Sequence, residues 1–570
     1  MINVYMSELD FEYELNALIK TVCPGSEIKF HSEFLEPFIG EKADLNLFIK
    51  LNPSSIDLSL SAAGNLVDAH SDVSFLSVSS LGESDKAEIC EESCVQASDN
   101  DIHDRDSDKE SVLWHKNPKD ETGGRKKNPY RLEYKNVLKR MVMKALTELP
   151  DSFRPDGMLF RKPVWGTMTG VRPSKIALNL LEGKFSFDEL DLDDESLRSS
   201  VKERVVSELK SEYLCSDDRA RLSTDIAFRE KEILNKLGND RVEDSFSLYA
   251  GIPFCPTTCL YCSFTSYPLK AYSQYIDAYL DAIEFEMEKK AKEFGCNPLT
   301  IYVGGGTPTS LNHKQLDRFL GMIDKNFNVA GAIEYTVEAG RPDTLDLEKL
   351  QILKEHKVDR VSINPQSMQL KTLEKIGRFH TPEDIVKCFE MARKAGIQNI
   401  NADLIAGLPG EDVLDFSDTV DKVLSLNPES VTVHSLVIKR ASRMREVLDR
   451  ELQINEESRE NDIKRLKRAD LLDEMIKFSN NSIVKFGLKP YYMYRQKNAN
   501  VHYQSSGQEN IGYSKEGFEC LYNILMMEEK QSIVSVGAGA STKLYDKETK
   551  TVSRVENVKS LKDYIDRNRR

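Results

Sequence analysis

Long apolar runs are missing from these 570 residues, and no stretch approaches the length that crosses a bilayer. The opening Met1-Ile2-Asn3-Val4 begins no secretory signal. An excess of basic charge is missing too. Lysine and arginine number 78 against 93 acidic residues, a formal net charge of −15. That balance argues against broad nucleic-acid binding and leaves room only for a local basic pocket. Cysteine is sparse for a secreted scaffold. Ten in so long a chain, without secretory features, point to a reducing cytoplasm and not to a disulfide framework. What remains is ordinary: 40% hydrophobic and 30% charged residues, with length for two or three domains around substantial cores.

Three of the cysteines stand together. Tyr249–Phe264 reads YAGIPFCPTTCLYCSF, which spaces Cys255, Cys259 and Cys262 as C-x3-C-x2-C. A loop of that length can turn three thiolates inward onto three irons of one 4Fe–4S cube, leaving the fourth iron free to hold a small molecule. As half of a zinc site the same thiols would want a second Cys/His pair. None is evident, since Cys296, Cys388 and Cys520 stand alone and the few histidines are scattered.

Along the chain, residues 1–51 alternate strand-like and helix-like patterns and read as a small α+β region. Residues 52–128 turn serine-rich and then acidic, a composition that buries too little apolar surface to offset chain entropy, so disorder is expected. Cys90 and Cys94 in this insert echo the main motif but have acidic neighbours and no strand feeding them. A helical connecting region is expected over 129–240. Within it, Pro163–Leu181 carries a GxxTGxRPxK turn leading into a helix. There Arg172 and Lys175 can hold an anion at the helix start, although a structural turn with solvated charges is the simpler reading.

From Phe246 the pattern becomes regular. Strand-like runs at Phe246–Ile252, Leu299–Val303, Ile333–Glu338, Arg360–Asn364, Ile400–Ile405 and Ser430–Leu436 alternate with helical stretches. Six parallel βα units predict an α/β fold, a partial TIM-like (βα)6 barrel over 241–445, with active residues at the C-terminal strand ends. Polar residues recur at those ends: the glycine run Gly304-Gly305-Gly306-Thr307, then Glu338, Gln366 with Arg378 twelve residues on, and Asp403. Each alone can be a solvated polar residue; their recurrence favours a shared site. Residues 446–570 are expected to form a C-terminal substrate-side domain. Lys439, Arg440, Arg443 and Arg445 after the sixth strand, and Tyr491, Tyr492, Tyr494 and Arg495 in this last domain, offer cations and aromatic walls. The PYYMYR stretch reads equally well as an amphipathic strand packing that domain.

Cys255-x3-Cys259-x-Tyr261-Cys262 after Ile252-Pro253-Phe254 resembles the radical S-adenosylmethionine superfamily. More narrowly, the chain resembles the oxygen-independent coproporphyrinogen III oxidase family, in its HemZ-type coproporphyrinogen dehydrogenase branch, from about Phe246 to the C-terminus. The Pro163–Leu181 turn resembles a segment of the same branch. The resemblance implies a 4Fe–4S cluster on the three cysteines and S-adenosylmethionine against Tyr249, Tyr261, Ser263, Gly305, Gly306, Thr307, Glu338, Gln366, Arg378 and Asp403. It implies radical decarboxylation of coproporphyrinogen III to protoporphyrinogen IX in haem synthesis. An electron donor such as flavodoxin or ferredoxin is expected, and a cytoplasmic monomer.

Two departures stand out. Ser263-Phe264 replaces the Gly-Cys that follows the third cysteine in well-known members, and Glu338-Ala339-Gly340-Arg341 replaces Glu-x-Asp-Pro. Both put a second bound S-adenosylmethionine in question. The rivals are a haem chaperone of the same superfamily and a radical enzyme acting on another tetrapyrrole. The chaperone characteristically carries a His-Asn…Tyr-Trp stretch. The comparable region here is Tyr494-Arg495-Gln496-Lys497-Asn498, and no tryptophan follows Trp165.

Overall fold

The computed structural model describes residues 1–7, 11–24, 26–32, 45–51, 55–62, 65–72, 129–151, 154–155, 158–185, 187, 194–438, 443–454, 459–496 and 509–569. They fall into two compact units, Met1–Thr169 with Val206–Ala220, and Gly170–Val205 with Arg221–Arg570.

The first unit is built on a five-stranded sheet ordered β2-β1-β3-β4-β5. Its strands are β1 (Ile2–Met6), β2 (Ile28–His31), β3 (Leu45–Leu51), β4 (Ser55–Ala62) and β5 (Asn65–Asp72). The helix Glu12–Val22 places Leu15, Leu18, Ile19 and Val22 on one face, against Ile2, Val4, Leu47 and Ile49. Leu138, Val142 and Leu146 of the helix Pro129–Thr147 complete this core. Strand pairing continues through β4 and β5, past the boundary expected at residue 52. In SSIDLSLSA the serines and aspartate alternate with Ile56, Leu58 and Leu60, all buried, so a polar composition hid a period-2 strand. Residues 73–128 of the expected disordered insert, with Cys90 and Cys94, lie outside the described residues.

The second unit carries the six predicted parallel strands. They are β6 (Phe246–Ile252), β9 (Thr300–Gly305), β10 (Glu334–Glu338), β11 (Arg360–Ser362), β12 (Asn399–Ala406) and β13 (Ser430–Ser435), with a short pair β7 (Phe254–Cys255) and β8 (Tyr267–Pro268) after the first. The six lie side by side in chain order, as in the wall of a βα barrel. Capping boxes start three of the connecting helices: Asn312 with Gln315, Thr381 with Asp384, and Asp412 with Asp415.

The residues expected as a separate C-terminal domain extend this same sheet. Antiparallel β15 (Glu509–Ser514) pairs with β13 and with β14 (Lys489–Arg495). At the other edge β16 (Ser532–Val536) lies parallel to β6 and leads to the hairpin β17 (Ser541–Asp546) and β18 (Thr551–Glu556). The eleven strands form an open sheet among the described residues. Tyr491 and Tyr492 are buried in β14 beside Leu234, Leu299 and Ile524, so for these two the strand-packing reading holds. Lys439 and Arg440 lie outside the described residues. Arg172 is an internal tie: it donates to Glu529 Oε2 at 2.7 Å and to the Met527 carbonyl.

The seventh parallel strand is locked by the turn after it. Gly537 has φ +112°, and a Cβ there would meet the Gly251 carbonyl oxygen at 2.7 Å. Its N–H donates to the buried carboxylate of Glu286 at 2.9 Å, which also accepts from Asn557 Nδ2 at 2.8 Å and from the Tyr564 hydroxyl. Glu286→Ala removes the acceptor of all three, and of them Asn557 Nδ2 keeps a second one, the Gly537 carbonyl at 2.9 Å. We expect it to lower stability by about 3 kcal/mol, read as a shift of the urea midpoint at unchanged slope. Among the described residues no helix is long and apolar enough to cross a membrane.

Candidate cluster and cofactor site

The cysteine loop leaves β6 at the C-terminal edge of the sheet. Cys255 and Cys259 are each 9% exposed and Cys262 is half-buried, and none is in a disulfide. The loop is tied to its surroundings by backbone bonds, Leu260 N–H to the Ile376 carbonyl at 3.0 Å and Tyr267 N–H to that of Pro253 at 2.7 Å. Burial pushes the Cys255 thiol up to about 11. Such a thiol stays protonated alone and needs a metal to hold it as thiolate. Among the described residues no three His, Cys, Asp or Glu side chains converge on a single ion.

The glycine turn packs directly on this loop. Gly306 N–H donates to the Ile252 carbonyl at 2.7 Å and Thr307 N–H to that of Phe254 at 2.8 Å. A Cβ on Gly306 would stand 2.7 Å from the Phe254 oxygen and 3.0 Å from Cys255 Sγ, while Thr307 Oγ1 lies 3.4 Å from that sulfur. Glycine is therefore required by close approach. Gly305, at φ +107°, turns the chain into it.

Glu338 ends β10 and accepts from the Tyr302 hydroxyl at 2.7 Å. Burial, with the charge of Asp403 adding, raises its pKa to about 7. Asp403 sits within β12, three residues short of the strand end that the sequence suggested. Burial pushes its pKa up, but the His434 ring and Asn401 Nδ2, at 2.7 Å from Oδ1, outweigh it and hold the carboxylate below its usual range. One carboxyl poised near neutrality beside one fixed as an anion is a division of roles set by environment.

Gln366 lies four residues beyond β11, held by Gln366 N–H to the Asp403 carbonyl at 2.9 Å and Ile405 N–H to its own carbonyl at 3.0 Å. Its φ is +66°, and its buried Oε1 has no hydrogen-bond partner. A strained, unsatisfied amide beside the carboxylates marks a group awaiting a ligand. Arg378 is largely committed to protein: it donates to the Tyr261 hydroxyl at 3.0 Å and to the Gly340 and Asn364 carbonyls at 2.5 and 2.7 Å. Only its buried Nε is left without a partner. Tyr249 stacks with Tyr302 and Tyr522 at centroid distances of 6.3 and 6.4 Å, and Ser263 is exposed.

Residues without a role from sequence complete the site. Tyr302 and Tyr522 extend the Tyr249 stack, at 4.6 Å from each other. Alternation in IYVGGG puts Tyr302 and Gly304 on one face, a signal that was present. Arg341 reaches Cys259 from a position noted only as a departure.

An open parallel βα sheet with three thiols on the loop after its first strand defines the radical S-adenosylmethionine class. The Radical SAM superfamily profile matches residues 249–423. Members use a 4Fe–4S cluster and S-adenosylmethionine, and the buried thiols, the glycine cradle and the orphaned Gln366 amide fit both. A protein of Bacillus subtilis (strain 168), "Oxygen-independent coproporphyrinogen-III oxidase-like protein HemZ", is 37% identical over 407 residues, covering 71% of this chain and 74% of that protein. This chain belongs to the HemZ-type, oxygen-independent coproporphyrinogen III oxidase-like family. "Heme chaperone HemW" of the same bacterium is 42% identical over 195 residues, 34% of this chain and 51% of the chaperone. Among solved structures, coproporphyrinogen III oxidase (HemN) from Escherichia coli aligns at TM-score 0.44 and 21% identity, over 59% of this chain and 72% of that one.

Proposed function

We propose that the chain is a coproporphyrinogen dehydrogenase, removing carbon dioxide and hydrogen from two propionates of coproporphyrinogen III to leave vinyl groups. The observation that carries the reading is the reach of the similarity. It extends over 71% of the chain towards the coproporphyrinogen oxidase-like relative, against 34% and 52% towards the haem chaperones of Bacillus subtilis and Lactococcus lactis. The missing His-Asn…Tyr-Trp stretch supports the same choice.

In this reading Cys255, Cys259 and Cys262 hold the cluster. The Gly305-Gly306-Thr307 turn grips the methionine part of S-adenosylmethionine, whose amino group Glu338 accepts and whose ribose Asp403 accepts. Gln366 Oε1 takes a remaining donor, the Arg378 Nε–H a carboxylate oxygen, and Tyr249, Tyr261 and Ser263 border the pair. When bound, the cofactors supply a carbon radical that takes a hydrogen atom from the propionate β-carbon. Each propionate then releases carbon dioxide and one electron to an acceptor. The protein's share is binding, orientation and exclusion of water.

Glu338 makes the cofactor's affinity depend on pH. It must be ionised to hold an ammonium group, and its pKa is about 7, so protons compete below that value. We expect S-adenosylmethionine affinity, read by equilibrium dialysis, to fall on going from about pH 8 to about pH 6. The decline approaches tenfold per unit well below the pKa. Glu338→Gln binds more weakly at the higher pH and shows a flat profile.

The proposal is tested by anaerobic turnover of the reconstituted protein with S-adenosylmethionine, a reductant, an electron acceptor and coproporphyrinogen III. Two successive losses of formic-acid mass from the tetrapyrrole, with deoxyadenosine formed alongside, are expected. Deoxyadenosine without porphyrinogen turnover contradicts it, and haem binding and transfer then become the reading to measure.

A further inference from the structure

Arg341 is 3% exposed and takes the place of the proline in the family's Glu-x-Asp-Pro pattern. Gly340 before it lets the chain pass close to Asn364, whose Nδ2 would stand 2.9 Å from a Cβ. The guanidinium then points at the cysteine loop. Nη1 lies 3.3 Å from Cys259 Sγ, 3.3 Å from Thr257 Oγ1 and 3.4 Å from the Thr257 carbonyl oxygen. Nη2 lies 3.3 Å from the same Thr257 hydroxyl. Asp343 fixes the other side as a fork, Nε to Oδ1 at 2.9 Å and Nη2 to Oδ2 at 2.8 Å. A buried arginine with its orientation set by a bidentate carboxylate is an expensive way to pin a loop. The loop is already pinned by Leu260 N–H to the Ile376 carbonyl at 3.0 Å.

We propose that Arg341 is a positioning residue that tunes the cluster, its N–H donated to Cys259 Sγ raising the reduction potential. Reduction adds negative charge to a cluster already carried by thiolates. A hydrogen bond to a ligand sulfur, in a water-poor pocket, favours that more negative state. Asp343 opposes part of the guanidinium's charge and sets its direction, so the two residues shift the potential in opposite senses. The proposal rests on the cluster ligation by the three cysteines and not on the identity of the substrate.

The test is potentiometric titration of the reconstituted protein, followed by electron paramagnetic resonance of the reduced cluster, with iron content measured per chain. In Arg341→Met the oxidised-to-reduced ratio at a fixed potential rises about tenfold, a fall in midpoint of about 59 mV for a one-electron couple. Arg341→Lys, which keeps charge without the fork, falls less, and Asp343→Asn moves upward. A fully loaded R341M cluster at the wild-type midpoint overturns the proposal. So does R341K at the wild-type midpoint should R341M fail to load iron. Failure of both to load, with native circular dichroism, also overturns it and leaves Arg341 a purely structural tie.

Discussion

Cys259→Ala is expected to lose its iron. The thiol is buried, sits on a loop pinned by Leu260 N–H to the Ile376 carbonyl, and faces the Arg341 guanidinium. Its fellow ligands Cys255 and Cys262 are the other cysteines of this loop and are already committed, and Cys296, Cys388 and Cys520 belong to other parts of the chain. Losses of partners that merely orient a ligand cost about 10–100-fold in metal affinity, and removing the ligand itself costs more. Iron per chain and the visible absorption of the reconstituted protein should drop to background, and reductive cleavage of S-adenosylmethionine with them. The alanine fills less space than the thiol and strands no backbone group, so the fold should survive. Near-native circular dichroism alongside lost iron separates a missing ligand from a collapsed domain.

Gly306→Ala is the second large effect, and it acts while leaving all three cysteines in the sequence. The new methyl group would stand 2.7 Å from the Phe254 oxygen, a backbone atom of the strand bearing Cys255, and 3.0 Å from Cys255 Sγ itself. Neither neighbour is the far end of a flexible chain, so loop or turn must shift. Overpacking of this kind costs about 1–3 kcal/mol, and here the displacement falls on a cluster ligand. Reconstitution should give substoichiometric iron and weak S-adenosylmethionine binding. Gly183→Ala is the control, for a Cβ there meets nothing within 4 Å. It should leave iron content and thermal midpoint unchanged. Equal behaviour of the two variants would contradict the close approach read at Gly306.

Much of this was legible beforehand, for reasons that differ by element. The three thiols had to be neighbours in sequence because one short loop must present them together. The six parallel strands announced themselves as apolar runs between glycine- and proline-punctuated helices, and Glu338 marked its strand end. What stayed hidden depends on distant chain. The run SIVSV of β16 looks like any short strand; only the folded sheet pairs it with β6 and turns the last residues into an extension of the same layer. Arg341 was visible as an odd residue after Glu338, yet its target, Cys259, is brought to it by the turn at Gly340. Composition misled once, where serines between Ile56, Leu58 and Leu60 masked a buried strand.

The proposed activity turns on hydrogen abstraction from the propionate β-carbon. The direct measurement is anaerobic incubation with coproporphyrinogen III deuterated at those carbons, followed by mass spectrometry of the deoxyadenosine released. Deuterium in the deoxyadenosine, one atom for each vinyl group formed, is the predicted result. Deoxyadenosine that carries no deuterium while the tetrapyrrole stays intact would contradict it.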